Sequence, residues 1–133
     1  MTNSVNIMNM GLVTQLLFKL AGANLQSTSD QPFALAAYSG ANYVVTNIIA
    51  RQRSGGASVT CAGGIYDAAA KGGNAIVSAA QSWVTLASGV MVSATLAALT
   101  GTTLLSNTPI LSLTTGSTAA CTADFYIFGV DIS

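Results

Sequence analysis

The sequence predicts an all-β protein, a jelly-roll-like antiparallel β-sandwich with an N-terminal arm, and three observations carry that expectation. Runs dense in β-branched and aromatic residues recur at intervals of roughly 10 to 15 residues, the spacing of strands in sandwiches and barrels. Between them stand SGGAS, KGGN, TGTT, SNTP and TGST, clusters of the residues that supply turn geometry. Long stretches with an apolar repeat of three to four residues, the mark of an amphipathic helix, are missing.

A chain of 133 residues fits one domain, 1–133, because a single core commonly serves about 100 to 200 residues. Residues 1–31 read as an N-terminal arm and loop, and 32–133 as the sandwich body. In the arm, LVTQLLFKL is an apolar run with the character of a short helix or a strand that docks onto something, and AGANLQSTSDQP collects turn residues and reads as a loop or hinge. NYVVTNIIARQR, residues 42–53, is dense enough in β-branched and aromatic residues to be a strand that crosses a sheet. VTCAGGIYDAAA follows with a glycine pair inside it, the sign of a bulge or a close backbone approach.

NAIVSAAQSWVTL, GVMVSATLAAL, TPILSLTT and CTADFYIFGVDI complete the expected strands. A helix competes across QSWVTLASGVMVSATLAAL, since alanine and leucine favour helices, but Gly89 and the crowded Ser, Thr and Val residues favour strand. The last run sets Phe125, Tyr126, Ile127 and Phe128 side by side without alternation. A strand apolar on both faces is covered on both, by the core and by another layer or subunit.

Composition bounds the function classes. Only 6% of residues are charged, against roughly 25% in an ordinary soluble domain, and 51% are hydrophobic. The basic residues Lys19, Arg51, Arg53 and Lys71 cancel against Asp30, Asp67, Asp124 and Asp131. Without a basic excess there is no electrostatic footprint for nucleic acid, so none is expected as a partner. So little charge gives little colloidal repulsion, which predicts an oligomer or a member of a larger assembly.

No charge falls between residues 72 and 123, yet the most apolar window, VTLASGVMVSATLAAL, owes its hydropathy mainly to alanine and valine and holds several Ser and Thr residues. No membrane span is expected from it. The beginning, MTNSVNIMNMGLVTQ, lacks the positive region of a secretory signal, so synthesis as a soluble cytoplasmic product is expected.

The chemistry-bearing residues point the same way. AGGIYDAAAKGG resembles a phosphate loop only superficially: the lysine precedes the glycines, and a β-rich run follows where a helix N-terminus is needed. The chain has no histidine, and Cys61 and Cys121 cannot close a four-ligand zinc shell. Both cysteines sit in strand-like runs and read as buried thiols in preference to a disulfide between them, which stays open as the alternative. The carboxylates are four aspartates in turn-like settings, with no visible pairing for glycosidase chemistry, and no base stands ready to activate a cysteine. No catalytic residue, cofactor or metal is therefore expected, and no enzymatic activity. Trp83 is either a core residue with its N–H bonded or an interface anchor. Arg51 and Arg53, two apart on one strand, share a face that is either solvated or a patch for a partner.

At YVVTNIIARQRSGGASVTCAGGIYDAAAKGGNAIV and again at LSLTTGSTAACTADFYIFGVDIS, the sequence resembles the head decoration, or cement, proteins of tailed bacteriophages. The likeness lies in the order of elements over residues 41–133: a YVVTNI strand, a GGIY strand with a KGG turn, then LSLTTG and a closing aromatic strand. It implies a jelly-roll or similar sandwich on the outer surface of an icosahedral capsid, a virion location, and the major capsid protein as partner, together with further copies of the chain as a homodimer or homotrimer. The residues expected at the capsid or subunit interface are Leu16 and Phe18 in the arm, with Arg51, Arg53, Trp83, Tyr126 and Phe128. The rival expectation is a receptor- or glycan-binding fibre or tip module, which would use aromatic loops, whereas Tyr38, Tyr43, Tyr66, Tyr126 and Trp83 mostly fall within or beside strands.

Overall fold

The computed structural model describes residues 14–36, 42–86, 90–97, 105 and 108–132. Residues 1–13 of the expected arm, Tyr38 and parts of the run 84–99 lie outside them. Among the described residues there is no helix, and the strands are β1 (Gln15–Asn24), β2 (Gln31–Pro32), β3 (Ala34–Leu35), β4 (Tyr43–Gly55), β5 (Ala62–Tyr66), β6 (Ala75–Val77), β7 (Met91–Ser93), β8 (Ile110–Thr115) and β9 (Cys121–Asp131). They form a β-sandwich of two antiparallel sheets, one ordered β3-β1-β9-β4-β7 and the other β2-β8-β5-β6.

β4 and β9 are the spine of the larger sheet, paired from Tyr43 opposite Asp131 to Gly55 opposite Cys121. Tyr43, Val45, Ile48 and Ala50 of β4 point into the core, as do Cys121, Ala123, Phe125 and Ile127 of β9. β-Bulges between Val45 and Asn47, and again between Gln52 and Ser54, reset the alternation so that the apolar set stays inward over this long pairing. β9 does alternate, contrary to the unbroken apolar run in the sequence. Its outward set, Tyr126, Phe128 and Val130, is half-buried, so apolar residues on both faces hide the period of two.

The expected boundary at residue 31 is corrected. β1 lies between β3 and β9, with Phe18 opposite Ile127 and Leu20 opposite Phe125, so the described part of the arm belongs to the body. Phe18 is 1% exposed and packs edge-on against Tyr43, with centroids 5.0 Å apart. Lifting this strand from Ile127 and Phe125 would open the core, so in the folded chain Phe18 packs inward and is not on the surface.

Trp83 is likewise core and not surface. It is fully buried between the sheets, its ring edge-on to Phe125 at 5.0 Å, and Phe33 meets the same Phe125 ring at 6.4 Å. Its indole N–H donates to the Gly63 carbonyl at 3.1 Å and its backbone N–H to the Cys61 carbonyl at 2.8 Å. Its own carbonyl accepts from the Ser58 hydroxyl and, at 3.2 Å, from the Leu86 N–H.

Sending Trp83 inward costs the surrounding run its strand character. Among the described residues of that run only Ala75–Val77 and Met91–Ser93 are strand, and tight turns close at Ser78–Gln81 and Trp83–Leu86. The glycine pair in β5 is a close approach, as its sequence suggested: a β-carbon at Gly63 would collide with the backbone of Leu113 and Thr114 on β8.

Trp83→Ala is expected to cost about 3–5 kcal/mol, from lost burial and the cavity left behind. Trp83→Phe should fill most of the space yet leave the Gly63 carbonyl unpaired, at about 1–3 kcal/mol. Urea denaturation of the purified chain measures both, and the two variants should rank in that order.

Candidate interaction face

The outward side of the larger sheet gathers most of the residues expected at an interface. Pairing places Leu16 beside Phe128 and Asn47 in one row, Lys19 beside Tyr126, Ile49 and Ser93 in the next, and Asp124 beside Arg51 and Met91 in a third. Leu16, Arg51, Arg53, Tyr126 and Phe128 therefore share one face, whereas Phe18 and Trp83 lie beneath it in the core. Sequence reasoning missed Ile49, Lys19 and Met91, which alternation along β4, β1 and β7 brings to the same side. The spacing of β4 was enough to find Ile49, two residues from Arg51. The pairing partners that bring Lys19 and Met91 there are not written in sequence.

The middle of this face is aromatic and aliphatic, and its lower end is charged. The Lys19 ammonium lies 5.4 Å from the centre of the Tyr126 ring, a cation–π arrangement that keeps both side chains flat on the sheet. Asp124 is almost covered. Its carboxylate accepts the Gly22 N–H at 2.8 Å and lies 3.6 Å from the Arg53 guanidinium, which stretches across β9 to reach it. Gly22 has φ of 65° in the irregular stretch of β1, and a β-carbon there would crowd the same guanidinium at 3.1 Å. A residue without a side chain thus lets the backbone turn its N–H toward Asp124. Arg51, by contrast, is exposed and has no ion pair among the described residues. With Gln52, Arg53, Ser54, Gly55, Val90 and Met91 it lines an open groove of about 530 Å³.

The remaining chemistry-bearing residues serve loops or the core. Asp67 accepts the Asn74 backbone N–H at 2.5 Å and its side-chain N–H at 2.9 Å, closing the loop that carries Lys71 and Gly73. Asp30 accepts the Ala70 N–H at 2.7 Å, and that bond, with Lys71 adding to it, holds its carboxyl below the usual 3.8. Cys61 and Cys121 are buried and unbridged, and burial pushes the Cys61 thiol up to about 11. Tyr43 and Tyr66 are also buried. Among the described residues, no three metal-ligating side chains come together, and no helix is long and apolar enough to cross a membrane.

Comparison with protein families, with curated proteins and with solved structures gives no match to this chain. The face itself combines an apolar centre with a basic margin in which Arg53 is paired to Asp124.

Two titrations follow. Cys61 ionises near 9.0 when unfolded and near 11 when folded, so the unfolded chain releases its proton first on raising the pH. Stability should fall between those values, and Cys61→Ala should make the fall shallower in urea midpoints recorded across that range. Asp30 shows the opposite sign: its carboxyl is lowered on folding, so its contribution is present above 3.8 and lost as pH falls below it. Asp30→Asn should therefore be less stable than the parent chain at neutral pH, with the difference shrinking in acid.

Proposed function

We propose that this chain is a structural virion protein that binds the outer surface of a tailed-phage icosahedral capsid and stabilises contacts between capsomers. The observation that carries this reading is the outward face of the larger sheet. Tyr126 and Phe128 stand there with Arg51 and Arg53, residue types enriched at protein interfaces, and Leu16 beside Phe128 extends the apolar area. A contiguous apolar patch rimmed by polar groups marks an interaction site more often than a solvated surface.

The strand order supports a jelly-roll wiring. With the two-residue β3 set aside, the first and last strands are neighbours, followed by β4 and β7, and the opposite sheet runs β2-β8-β5-β6. Double-sheet wiring of this kind recurs in capsid and lectin domains. The resemblance in the YVVTNI, GGIY, KGG and closing aromatic segments adds the phage decoration proteins in particular.

On this reading the partners are the major capsid protein and further copies of the chain, as a homodimer or homotrimer, and the protein resides on the capsid surface after synthesis in the host cytoplasm. Binding only the assembled lattice stabilises that lattice by mass action. Symmetric repetition turns a modest interface into high avidity.

Intact-protein mass spectrometry of purified virions tests the reading. About one third to one copy per major capsid protein is the expected ratio, because closed symmetry repeats each contact around the shell. A trace level would transfer the chain to a receptor- or glycan-binding fibre or tip, and absence from the particle would end the virion reading.

A further inference from the structure

We infer that the outward face of the larger sheet is shaped for an acidic protein surface and not for a second copy of this chain, with Arg51 as its anchor. The inference deepens the capsid reading and rests on the same face, since it names the chemistry of the surface met there.

Overall neutrality conceals an uneven distribution of charge. The chain has four basic residues, and Lys19, Arg51 and Arg53 all stand on this one face. Its acid is Asp124, whose side chain is 10% exposed and already matched by the Gly22 N–H and the Arg53 guanidinium. Asp30 and Asp67 are engaged in the loops of the other sheet, in company with Lys71, and Asp131, opposite the core-facing Tyr43 at the end of β9, falls on the inward side of the larger sheet by alternation. The face is left with two positive charges in excess, and Arg51 holds one of them with no ion pair among the described residues.

That excess decides between occupants. A two-fold dimer centred on this face would set the cluster of Lys19, Arg51 and Arg53 against the same cluster of a second copy, with Asp124 already occupied, and like charges brought together at an interface oppose binding. An acidic partner meets no such penalty.

The surroundings of Arg51 say what form the acid takes. Arg51 lies opposite Met91, which is 64% exposed, and beside Val90, which is 44% exposed, in the groove along β4. A guanidinium fork donates two parallel hydrogen bonds to a carboxylate, and an aliphatic wall alongside covers the stem that carries it. A glutamate side chain set among apolar residues fits both requirements.

The test uses the full chain with poly-L-glutamate as the probe, followed by residue-resolved NMR at low salt, together with sedimentation of the unliganded protein. Shifts are expected at Lys19, Ile49, Arg51, Met91 and Tyr126. Arg51→Glu should weaken binding at least about tenfold, Arg51→Lys should restore part of it, and Lys71→Glu should leave it unchanged. Arg51 is exposed, so these variants retain the fold, and melting curves check that.

Shifts confined to the Lys71 loop, or no binding at all, would overturn the inference. So would equal binding of double-stranded DNA at the same residues, which would make the face a general polyanion site. Dissociation of an oligomer by Arg51→Glu in sedimentation would assign the face to a second copy instead. Failure of this inference and failure of the capsid reading are separable. Virions that carry the chain at high copy, yet bind Arg51→Glu as well as the parent, would reject the acidic anchor alone. A face that binds poly-L-glutamate on a chain missing from virions would reject the capsid role alone.

Discussion

The edge-on contact between Trp83 and Phe125 is the constraint on which the rest of the sandwich depends. Phe125 belongs to the larger sheet, and Trp83 hangs from a connection tied to the smaller one through the carbonyls of Cys61 and Gly63. One ring pair therefore spans both layers. Because the indole N–H is satisfied by Gly63 within β5, the ring is fixed in position and direction, and β8 can approach β5 closely only because Gly63 carries no side chain. Removing water from two such large rings supplies a sizeable share of the apolar burial available to a chain of this length. A neutral core with these dimensions also explains why two thiols sit in it as small hydrophobes, one of them strongly resistant to ionisation.

The two faces of the larger sheet were written into the sequence with unequal clarity. β4 was legible from residues 42–53 almost to its ends, since Tyr, Val, Ile and Thr are so dense there that few other geometries accommodate them. β8 and β9 were legible for the same reason. The region from Ala75 to Leu96 was not, because its strand-forming residues are interrupted by a tryptophan whose best partner lies across the core. A long-range contact of that kind overrides local preference and leaves no periodic trace. β1 was misjudged as an arm because its irregular stretch at Gly22 resembles the start of a loop, although the bulge is what aims a backbone N–H at Asp124.

The candidate face was half legible. A pair of arginines two apart, and an aromatic run at the end of the chain, announced that something beyond core packing was present. Their convergence depended on β1, β4 and β9 being neighbours, and strand order across a sheet is set by loops and by the whole core. Arg51 and Arg53 also looked equivalent in sequence. Their neighbours separate them: a bulge lets Arg53 cross β9 to Asp124, while Arg51 faces Met91 with its charge unspent.

Among the described residues each sheet ends in very short strands: β3 and β7 flank the larger one, β2 and β6 the smaller, and none is longer than three residues. Exposed strand edges are templates for unwanted pairing with other chains, and proteins commonly guard them with charge. This chain has almost no charge to spend on the task. Brevity does it instead, since a two- or three-residue ladder offers an incoming strand too few backbone groups to hold it. Short edges therefore supply by geometry the protection against edge-to-edge pairing that other proteins draw from charge.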